Sequence, residues 1–226
     1  MNRIVLDVET AGGFDCPLTY DIGFIVFDGD NIIAERSWVI YDVFYGMPQK
    51  METAYYYDKM PRYHQEIAAG MRKVISMQQA FQEFNEICGA YDVREVWAYN
   101  CKFDVNALNN TIKILSHGWI TQFIPATVKT RCIMGAAMST ICDSHKYADF
   151  APRTERGNIK MSAESVYQYL QNDRDFIESH TGLEDCKIEL AILKACLKRR
   201  KKMDTEPKQI FHFPAWREIQ KKYAGI

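Results

Sequence analysis

The sequence predicts an α/β fold in which helices flank both faces of a five-stranded mixed sheet. Two observations carry this prediction: three strand-like segments come first, and helical and strand-like segments then alternate. Strands joined by a short turn pair antiparallel, whereas strands joined through a helix pair in parallel. We therefore expect three antiparallel strands, followed by two strands that run parallel to the first.

The first three strands are predicted from short runs of β-branched and aromatic residues. They cover residues 3–8, 20–27 and 32–40. The pair Asp28-Gly29 stands between the second and third strands, and Asp-Gly supplies the positive φ angle that a tight hairpin needs. This part of the sheet is therefore predicted to be an antiparallel meander.

The remainder of the chain alternates helices with strands. Ser76 and Gln79 fit a capping box at the start of one helix, and Thr181 and Glu184 fit another. The polar residues 143–160 include a proline and a glycine and are predicted to form a loop. The periodicity of apolar residues predicts strands at 94–99 and 126–131 and helices at 105–115, 132–142 and 163–171.

Residues 41–75 are rich in tyrosine and methionine and contain Pro48 and Pro61. We expect short helices or a mobile flap here, inserted into a single domain that covers residues 1–203. Residues 204–226 are predicted to form a C-terminal tail that packs on this domain.

The composition argues against several classes of protein. A net charge of −1 gives no overall positive field, so binding of a polyanion requires a local patch or metal ions. The seven cysteines are odd in number and include no Cys-x-x-Cys pair, which argues against a disulfide framework and a zinc ribbon. The N-terminus lacks the features of a signal peptide, and no apolar run reaches the length of a membrane span. We therefore expect a cytoplasmic protein without a membrane segment.

Asp7 and Glu9 lie two positions apart on the first predicted strand. Side chains at this spacing leave the same face of the strand. The flanking residues are apolar, so the strand is predicted to be central, where two acids repel each other and resist desolvation. A bound divalent cation resolves both problems. A solvent-exposed strand end without a function is the alternative.

Three further residues stand near predicted helix starts. Asp104 follows the fourth strand, and it reaches the same sheet edge as the first acids if that strand is parallel to the first. The alternative role for Asp104 is a helix N-cap. Asp185 lies in the first turn of the last long helix, where interaction with the helix dipole is the alternative to metal binding. His180 precedes that helix. It is either a movable base beside the fixed ligand Asp185 or a loop histidine without a function.

Together, three segments resemble the motifs of a known family. They are DVET from Asp7, YNCKFD ending at Asp104, and HTGLED from His180 to Asp185. In this order they match the DEDDh class of DnaQ-like 3′→5′ exonucleases, which belong to the ribonuclease-H-like superfamily. The resemblance covers residues 3–200. It implies a ribonuclease-H-like fold and metal-dependent hydrolysis of phosphodiester bonds at 3′ ends.

The resemblance also implies a role for each residue of the set. Asp7 would bridge two Mg²⁺ (or Mn²⁺) ions, and Glu9 and Asp185 would hold the ion on the nucleophile side. Asp104 would hold the other ion through water, and His180 would take the proton of the attacking water. Oxygen ligands suit these hard cations and argue against zinc.

Substrate contacts are expected after the first motif and in the second. In the family, main-chain groups at the positions of Thr10 and Ala11 bind the terminal 3′-hydroxyl. Phe14 is predicted to stack on the last base, with core packing as the alternative. Asn100 and Phe103 match the second motif, and Phe103 is alternatively a core aromatic.

The resemblance therefore implies an exonuclease for single-stranded 3′ ends that releases nucleoside 5′-monophosphates in DNA replication or repair, with nucleotide scavenging as an alternative role. DNA is favoured over RNA as substrate, and a polymerase or repair protein is a candidate partner. Trimming of RNA or oligoribonucleotides is one alternative. A non-catalytic module that binds a polymerase or repair protein is another, and the complete set of four acids and one histidine argues against it.

Overall fold

The computed structural model describes residues 1–13, 15–199 and 201–225. Its chain folds into a mixed sheet flanked by helices, which confirms the predicted α/β class. The strand order across the sheet is β4-β3-β2-β1-β5-β6. The strands are β1 (Arg3–Ala11), β2 (Leu18–Asp28), β3 (Asn31–Ile40), β4 (Lys73–Ile75), β5 (Glu95–Ala98) and β6 (Lys129–Cys132).

The first three strands form the predicted antiparallel meander. Strand β1 pairs antiparallel with β2, and β2 pairs antiparallel with β3. Gly29 stands in the turn between β2 and β3 with φ +57°, as the hairpin requires. Every residue of β2 except Asp28 is buried, which is the pattern of a strand covered on both faces.

The prediction of five strands is wrong, because the sheet has six. The additional strand is β4, which pairs parallel with β3 through Trp38, Val39 and Ile40. Three residues are too few to show an alternating pattern, so β4 exists through its pairing with β3 rather than through local sequence. That β5 and β6 run parallel to β1 stays a prediction.

Ten α-helices accompany the strands in the described residues. Helix α4 has the predicted capping box, since Ser76 and Gln79 each accept a hydrogen bond from the backbone of the other. The helices are α1 (Tyr41–Phe44), α2 (Pro48–Met51), α3 (Met60–Ala68), α4 (Met77–Ala90), α5 (Cys101–Leu115), α6 (Ile133–Ala137), α7 (His145–Phe150), α8 (Ala163–Gln171), α9 (Gly182–Leu197) and α10 (Pro214–Ile219).

One of the two segments without a clear sequence pattern has the predicted secondary structure, and the other does not. Segment 41–75 contains the predicted short helices, namely α1, α2 and α3. Segment 143–160 was predicted to be a loop, but it contains α7. The hydroxyl of Ser144 caps α7 by accepting the N–H of Tyr147, and the Tyr147 hydroxyl donates to the carbonyl oxygen of Lys160. A six-residue helix held by such contacts has too few turns to show an apolar stripe.

Contacts divide the chain into two compact units. Unit 1 comprises Met1–Val96, Phe103–Lys129 and His180–Cys186, and unit 2 comprises Trp97–Lys102, Thr130–Ser179 and Lys187–Ile226. The predicted single domain over residues 1–203, with a packed tail over 204–226, stays a prediction.

Unit 1 is built around the aromatic side chains between the meander and α4. The ring of Phe24 contacts the rings of Trp38 and Phe84 at centroid distances of 4.9 and 5.3 Å. All three are fully buried. Burial of such side chains is the main source of stability for this unit.

Unit 2 is joined by hydrogen bonds between segments distant in sequence. The Cys132 N–H donates to the carbonyl oxygen of Thr205 at 2.7 Å. The side chain of Gln220 accepts from the N–H of Ile159 at 2.9 Å and donates to its carbonyl oxygen at 3.1 Å. Segment 204–225 is therefore hydrogen-bonded into unit 2.

Two absences hold for the described part of the chain. The seven cysteines form no disulfide, and only Cys16 is exposed. Among the described helices, none combines the length and the hydropathy needed to cross a membrane.

Candidate active site

Strand β1 carries Asp7 and Glu9, whose side chains leave the same face of the strand. Opposite them on β2 lie Gly23 and Asp21, respectively. The pairing register shifts between Glu9 and Thr10, and such an irregularity re-aims the side chains at a strand end. Asp7 is half-buried and Glu9 is buried. The strand thus delivers two carboxylates to one partly enclosed position.

Asp185 joins these two acids from the first turn of α9. Its N–H donates to the carbonyl oxygen of Thr181 at 3.0 Å, which fixes the turn. One carboxylate oxygen each of Asp7, Glu9 and Asp185 lies within 4.8 Å of the other two. Because two of the three side chains are buried, repulsion between their charges is poorly screened. A cation held between them would offset that repulsion.

Asp104 lies in the first turn of α5, and its side chain is 2% exposed. Burial raises the pKa of its carboxyl to about 8, although the backbone N–H groups of Asp104 and Val8 donate to it. Its Oδ2 atom is buried and has no hydrogen-bond partner among the described residues. Val8 separates Asp7 from Glu9 on β1, so the Asp104 carboxylate lies against the same stretch of that strand. We call Asp7, Glu9, Asp104 and Asp185 the carboxylate group.

The carboxylate group fits hard divalent cations. All its donor atoms are oxygens, and Mg²⁺ and Ca²⁺ prefer oxygen ligands at about 2.0–2.6 Å. Oxygens on opposite sides of one such ion are about 4–5 Å apart, and the oxygens of Asp7, Glu9 and Asp185 lie within 4.8 Å of one another. The buried Oδ2 of Asp104 offers a further position at which a cation or its water would be a partner.

His180 precedes α9 and is half-buried. Its φ angle is +54°, a left-handed conformation that residues with a Cβ adopt only when their surroundings hold them there. Its ring stacks on the ring of Tyr56, with centroids 4.0 Å apart and planes inclined by 9°. The predicted base is therefore fixed by an aromatic contact from segment 41–75.

The turn after His180 packs directly on β2. A Cβ atom built on Gly23 would lie 2.1 Å from the backbone carbon of Gly182, and one built on Gly182 would lie 2.6 Å from the Gly23 nitrogen. The Sγ of Cys186 also contacts the carbonyl oxygen of Gly23 at 3.2 Å. Two glycines are thus required for the start of α9 to approach β2 closely enough to place Asp185.

Asp21 is an important residue that the sequence reasoning did not identify. It is fully buried on β2, and its Oδ2 accepts hydrogen bonds from the Tyr63 hydroxyl (2.6 Å), the Arg72 guanidinium (3.0 Å) and the Gly182 N–H (3.0 Å). Burial raises the pKa of Asp21, while these three donors act in the opposite direction. The lone acid in the apolar run around Asp21 was the signal that could have identified it.

Arg72 connects Asp21 to two helices of unit 1. Its guanidinium donates to Glu66 of α3 at 2.5 Å and to Glu184 of α9 at 3.2 Å. The hydroxyl of Thr181 donates to the same Glu184 carboxylate, so the predicted pair Thr181 and Glu184 is in contact. We call Asp21, Tyr63 and Arg72, with the carboxylates bound to Arg72, the Asp21 network.

The five residues predicted to carry the chemistry all belong to unit 1. The structure brings Asp7, Glu9 and Asp185 together and places Asp104 against β1. Their roles, and that of His180, stay predictions.

The residues predicted to bind substrate belong to both units, and one of them is not described. Thr10 and Ala11 end β1 in unit 1, and Phe14 lies outside the described residues. Phe103 is half-buried in the first turn of α5 in unit 1. Asn100 belongs to unit 2, where its φ angle is +59°.

No protein-family model matches the chain, and no curated protein matches its sequence. Solved structures do match. Escherichia coli Exonuclease I in complex with a dA16 oligonucleotide is 14% identical, with a TM-score of 0.53 over 88% of this chain and 41% of that chain. Product-bound Exonuclease I is 13% identical, with a TM-score of 0.51 over 88% of this chain and 44% of that chain. Cell-death related nuclease 4 is 10% identical, with a TM-score of 0.53 over 90% of this chain and 66% of that chain.

The chain shares its fold with these nucleases. At such low identity the likeness concerns the fold alone. The chain also spans only about two fifths of the length of Exonuclease I.

Proposed function

We propose that the chain is a metal-dependent 3′→5′ exonuclease of the DEDDh type that acts on single-stranded nucleic acid. The observation that carries the proposal is the convergence of Asp7, Glu9 and Asp185, with oxygens within 4.8 Å of one another. The buried, partly unsatisfied carboxylate of Asp104 supports it. The fold shared with Exonuclease I and cell-death related nuclease 4 supports a nuclease over other uses of a carboxylate cluster.

The carboxylate group would hold two divalent cations, Mg²⁺ or Mn²⁺. When bound, these ions supply the positive charge that activates a water molecule and stabilises the charge that develops on the phosphate and the leaving 3′-oxygen. Asp7 and Glu9 are suited to hold them because β1 lies between two neighbouring strands of the sheet. Asp185 joins them from α9.

His180 is proposed to accept the proton of the attacking water. Its ring is held through one face by Tyr56, whereas proton exchange uses nitrogen atoms at the ring edge. The backbone at Thr10 and Ala11, where β1 ends, is proposed to receive the terminal 3′-hydroxyl. The resulting product is a nucleoside 5′-monophosphate.

DNA is proposed as the preferred strand. Structures of Exonuclease I contain a dA16 or a dT13 oligonucleotide. A protein of similar fold therefore binds single-stranded DNA, which supports the choice of DNA here. Action in the cytoplasm and association with a polymerase or repair protein stay predictions.

The test is a degradation assay with purified protein. A single DNA strand labelled at its 5′ end should shorten stepwise from the other end in Mg²⁺ or Mn²⁺ and stay intact in EDTA. A labelled RNA strand of the same sequence in the same reaction decides between DNA and RNA. Faster loss of RNA would reassign the substrate but retain the chemistry.

Matched variants separate this activity from contamination. Asp7→Asn should abolish shortening because the amide cannot hold the cations, whereas Asp149→Asn, at an exposed position on α7, should keep it. If the wild type leaves every strand intact in Mn²⁺, or if Asp7→Asn is as active as the wild type, the proposal fails.

A further inference from the structure

The tyrosine turn, defined as Thr53–Tyr57, contacts two segments of unit 1. The hydroxyl of Thr53 accepts the backbone N–H of Gly12 at 3.0 Å. Gly12 directly follows β1, which carries two members of the carboxylate group. At its other end, the turn places the ring of Tyr56 on His180. One short turn therefore contacts both the residue that follows the strand with the candidate ligands and the candidate base.

The contact between Tyr56 and His180 is a face-to-face stack. The centroids are 4.0 Å apart and the planes differ by 9°. Such a stack fixes the plane of the imidazole, and it does not compete for the nitrogen atoms, which lie on the ring edge. A backbone in the left-handed region with φ +54° also needs support from its surroundings. The stack supplies this support on the side of segment 41–75.

The neighbouring tyrosines face solvent. Tyr55 is 77% exposed and Tyr57 is 51% exposed. The ring of Tyr55 meets that of Tyr56 edge to face at a centroid distance of 4.8 Å. Tyr55 is therefore one ring away from His180, with most of its own surface uncovered. Exposed aromatic rings beside a nucleic-acid site are stacking surfaces for unpaired bases.

We propose that the tyrosine turn is part of the active site, in which Tyr56 positions the imidazole of His180 and Tyr55 stacks on a base of the single-stranded substrate. This inference rests on the proposed function. Stacking requires a base that is not enclosed in a duplex, so the turn selects single strands without selecting their sequence.

The kinetic test uses two substrates, oligodeoxythymidylate and the p-nitrophenyl ester of thymidine 5′-monophosphate, which has one base and no adjoining strand. Tyr56→Leu should lower kcat about tenfold on both substrates, a fraction of the effect of losing a general base. Tyr56→Phe keeps the ring and should restore kcat. If Tyr56→Phe is as slow as Tyr56→Leu, or if Tyr56→Leu keeps the wild-type kcat, the positioning role is overturned.

Tyr55 should affect KM instead of kcat. Tyr55→Ala should raise KM for the oligonucleotide about tenfold, as expected for loss of one base–aromatic stack, with a smaller change for the ester. Tyr55→Phe should restore the low KM. Trp119→Ala, which removes a 90% exposed aromatic outside the turn, should behave as wild type. Equal KM values for Tyr55→Ala and wild type overturn the stacking role.

Two measurements do not depend on activity. Binding of a fluorescent oligodeoxythymidylate in EDTA should weaken about tenfold in Tyr55→Ala. The ring protons of His180 should show an upfield ring-current shift in the NMR spectrum that Tyr56→Leu removes and Tyr56→Phe keeps. If these results hold but no strand is cleaved, the proposed function fails and the turn remains a strand-binding element. If cleavage occurs but neither result holds, the turn proposal alone is overturned.

Discussion

Two buried acidic centres of unit 1 lie side by side on β1 and β2, where Glu9 stands opposite Asp21. In the Asp21 network, a guanidinium of the same chain neutralises the acid: Arg72 is 3.0 Å from Asp21, and both side chains are at most 2% exposed. In the carboxylate group, Asp104 is 2% exposed, and only backbone N–H groups oppose the rise in its pKa that burial causes. One oxygen of each acid, Oδ1 of Asp21 and Oδ2 of Asp104, has no hydrogen-bond partner among the described residues. The two centres therefore differ in the cation, because Arg72 neutralises Asp21, whereas the carboxylate group fits an added one. A buried acid therefore indicates a site for a metal ion only when the chain itself does not supply a cation beside it.

The largest expected effect comes from Asp185, because the carboxylate group carries the chemistry. Asp185→Asn should lower nuclease activity by at least about 100-fold, the scale on which single electrostatic contacts to a reacting phosphate act. Its melting temperature in EDTA should equal or exceed that of the wild type, because the variant has one buried like charge fewer. Activity assays and thermal melts on the same sample measure both. Loss of folding along with activity would make Asp185 a structural acid like Asp21.

Arg72 should show the opposite pattern. Arg72→Met leaves Asp21 buried without its cation, and breaking a buried pair costs about 3–5 kcal/mol. The melting temperature should fall by about 10 °C or more. Arg94→Met, which removes an exposed pair with Asp92, should change it by at most about 3 °C. If Arg72→Met melts like the wild type, the Asp21 network does not stabilise the fold.

The contact between β2 and α9 should couple the two centres. Gly23→Ala places a methyl group 2.1 Å from the backbone of Gly182, so the turn must move, at a cost of about 1–3 kcal/mol. Because Asp185 follows this turn, we expect kcat to fall more than stability alone explains. Gly89→Ala is the matched control, since its Cβ meets nothing within 4 Å. Identical kcat values for the two variants would show that the close approach is not needed.

The smallest expected effect is a pH dependence of the metal-free protein. Burial raises the pKa of Asp104 from 3.8 to about 8, so the folded chain keeps a proton that the unfolded chain has lost. The stability that this proton contributes is complete below about pH 4 and is lost as the pH rises through about 8. In EDTA, the wild type should therefore lose about 5 °C more than Asp104→Asn between pH 6 and pH 9.

Asp149→Asn controls for this measurement and should follow the wild type over the same pH range. Equal pH dependence of Asp104→Asn and the wild type would mean that the pKa of Asp104 is not raised in the folded state.

The fold and the site were predictable where local pattern determines them. The antiparallel meander follows from β-branched runs and an Asp-Gly turn, and the start of α4 follows from Ser76 and Gln79. The acids Asp7 and Glu9 stood out because their spacing places them on one face of an apolar strand.

Contacts between distant segments could not be predicted in this way. Strand β4 exists through pairing with β3, and the short helix α7 is held partly by Lys160. The pairing of Asp21 with Arg72 spans 51 positions, and the stacking of Tyr56 on His180 joins two segments with no shared pattern. These features depend on which surfaces meet after folding.

The central claim is that the carboxylate group binds divalent cations, and calorimetric titration of Mn²⁺ into the metal-free protein tests it most directly. We predict saturable binding to the wild type and to Asp149→Asn, and its loss in Asp7→Asn, which removes one member of the group at a half-buried position. Binding that is absent from the wild type, or that is as strong in Asp7→Asn as in Asp149→Asn, would contradict the claim.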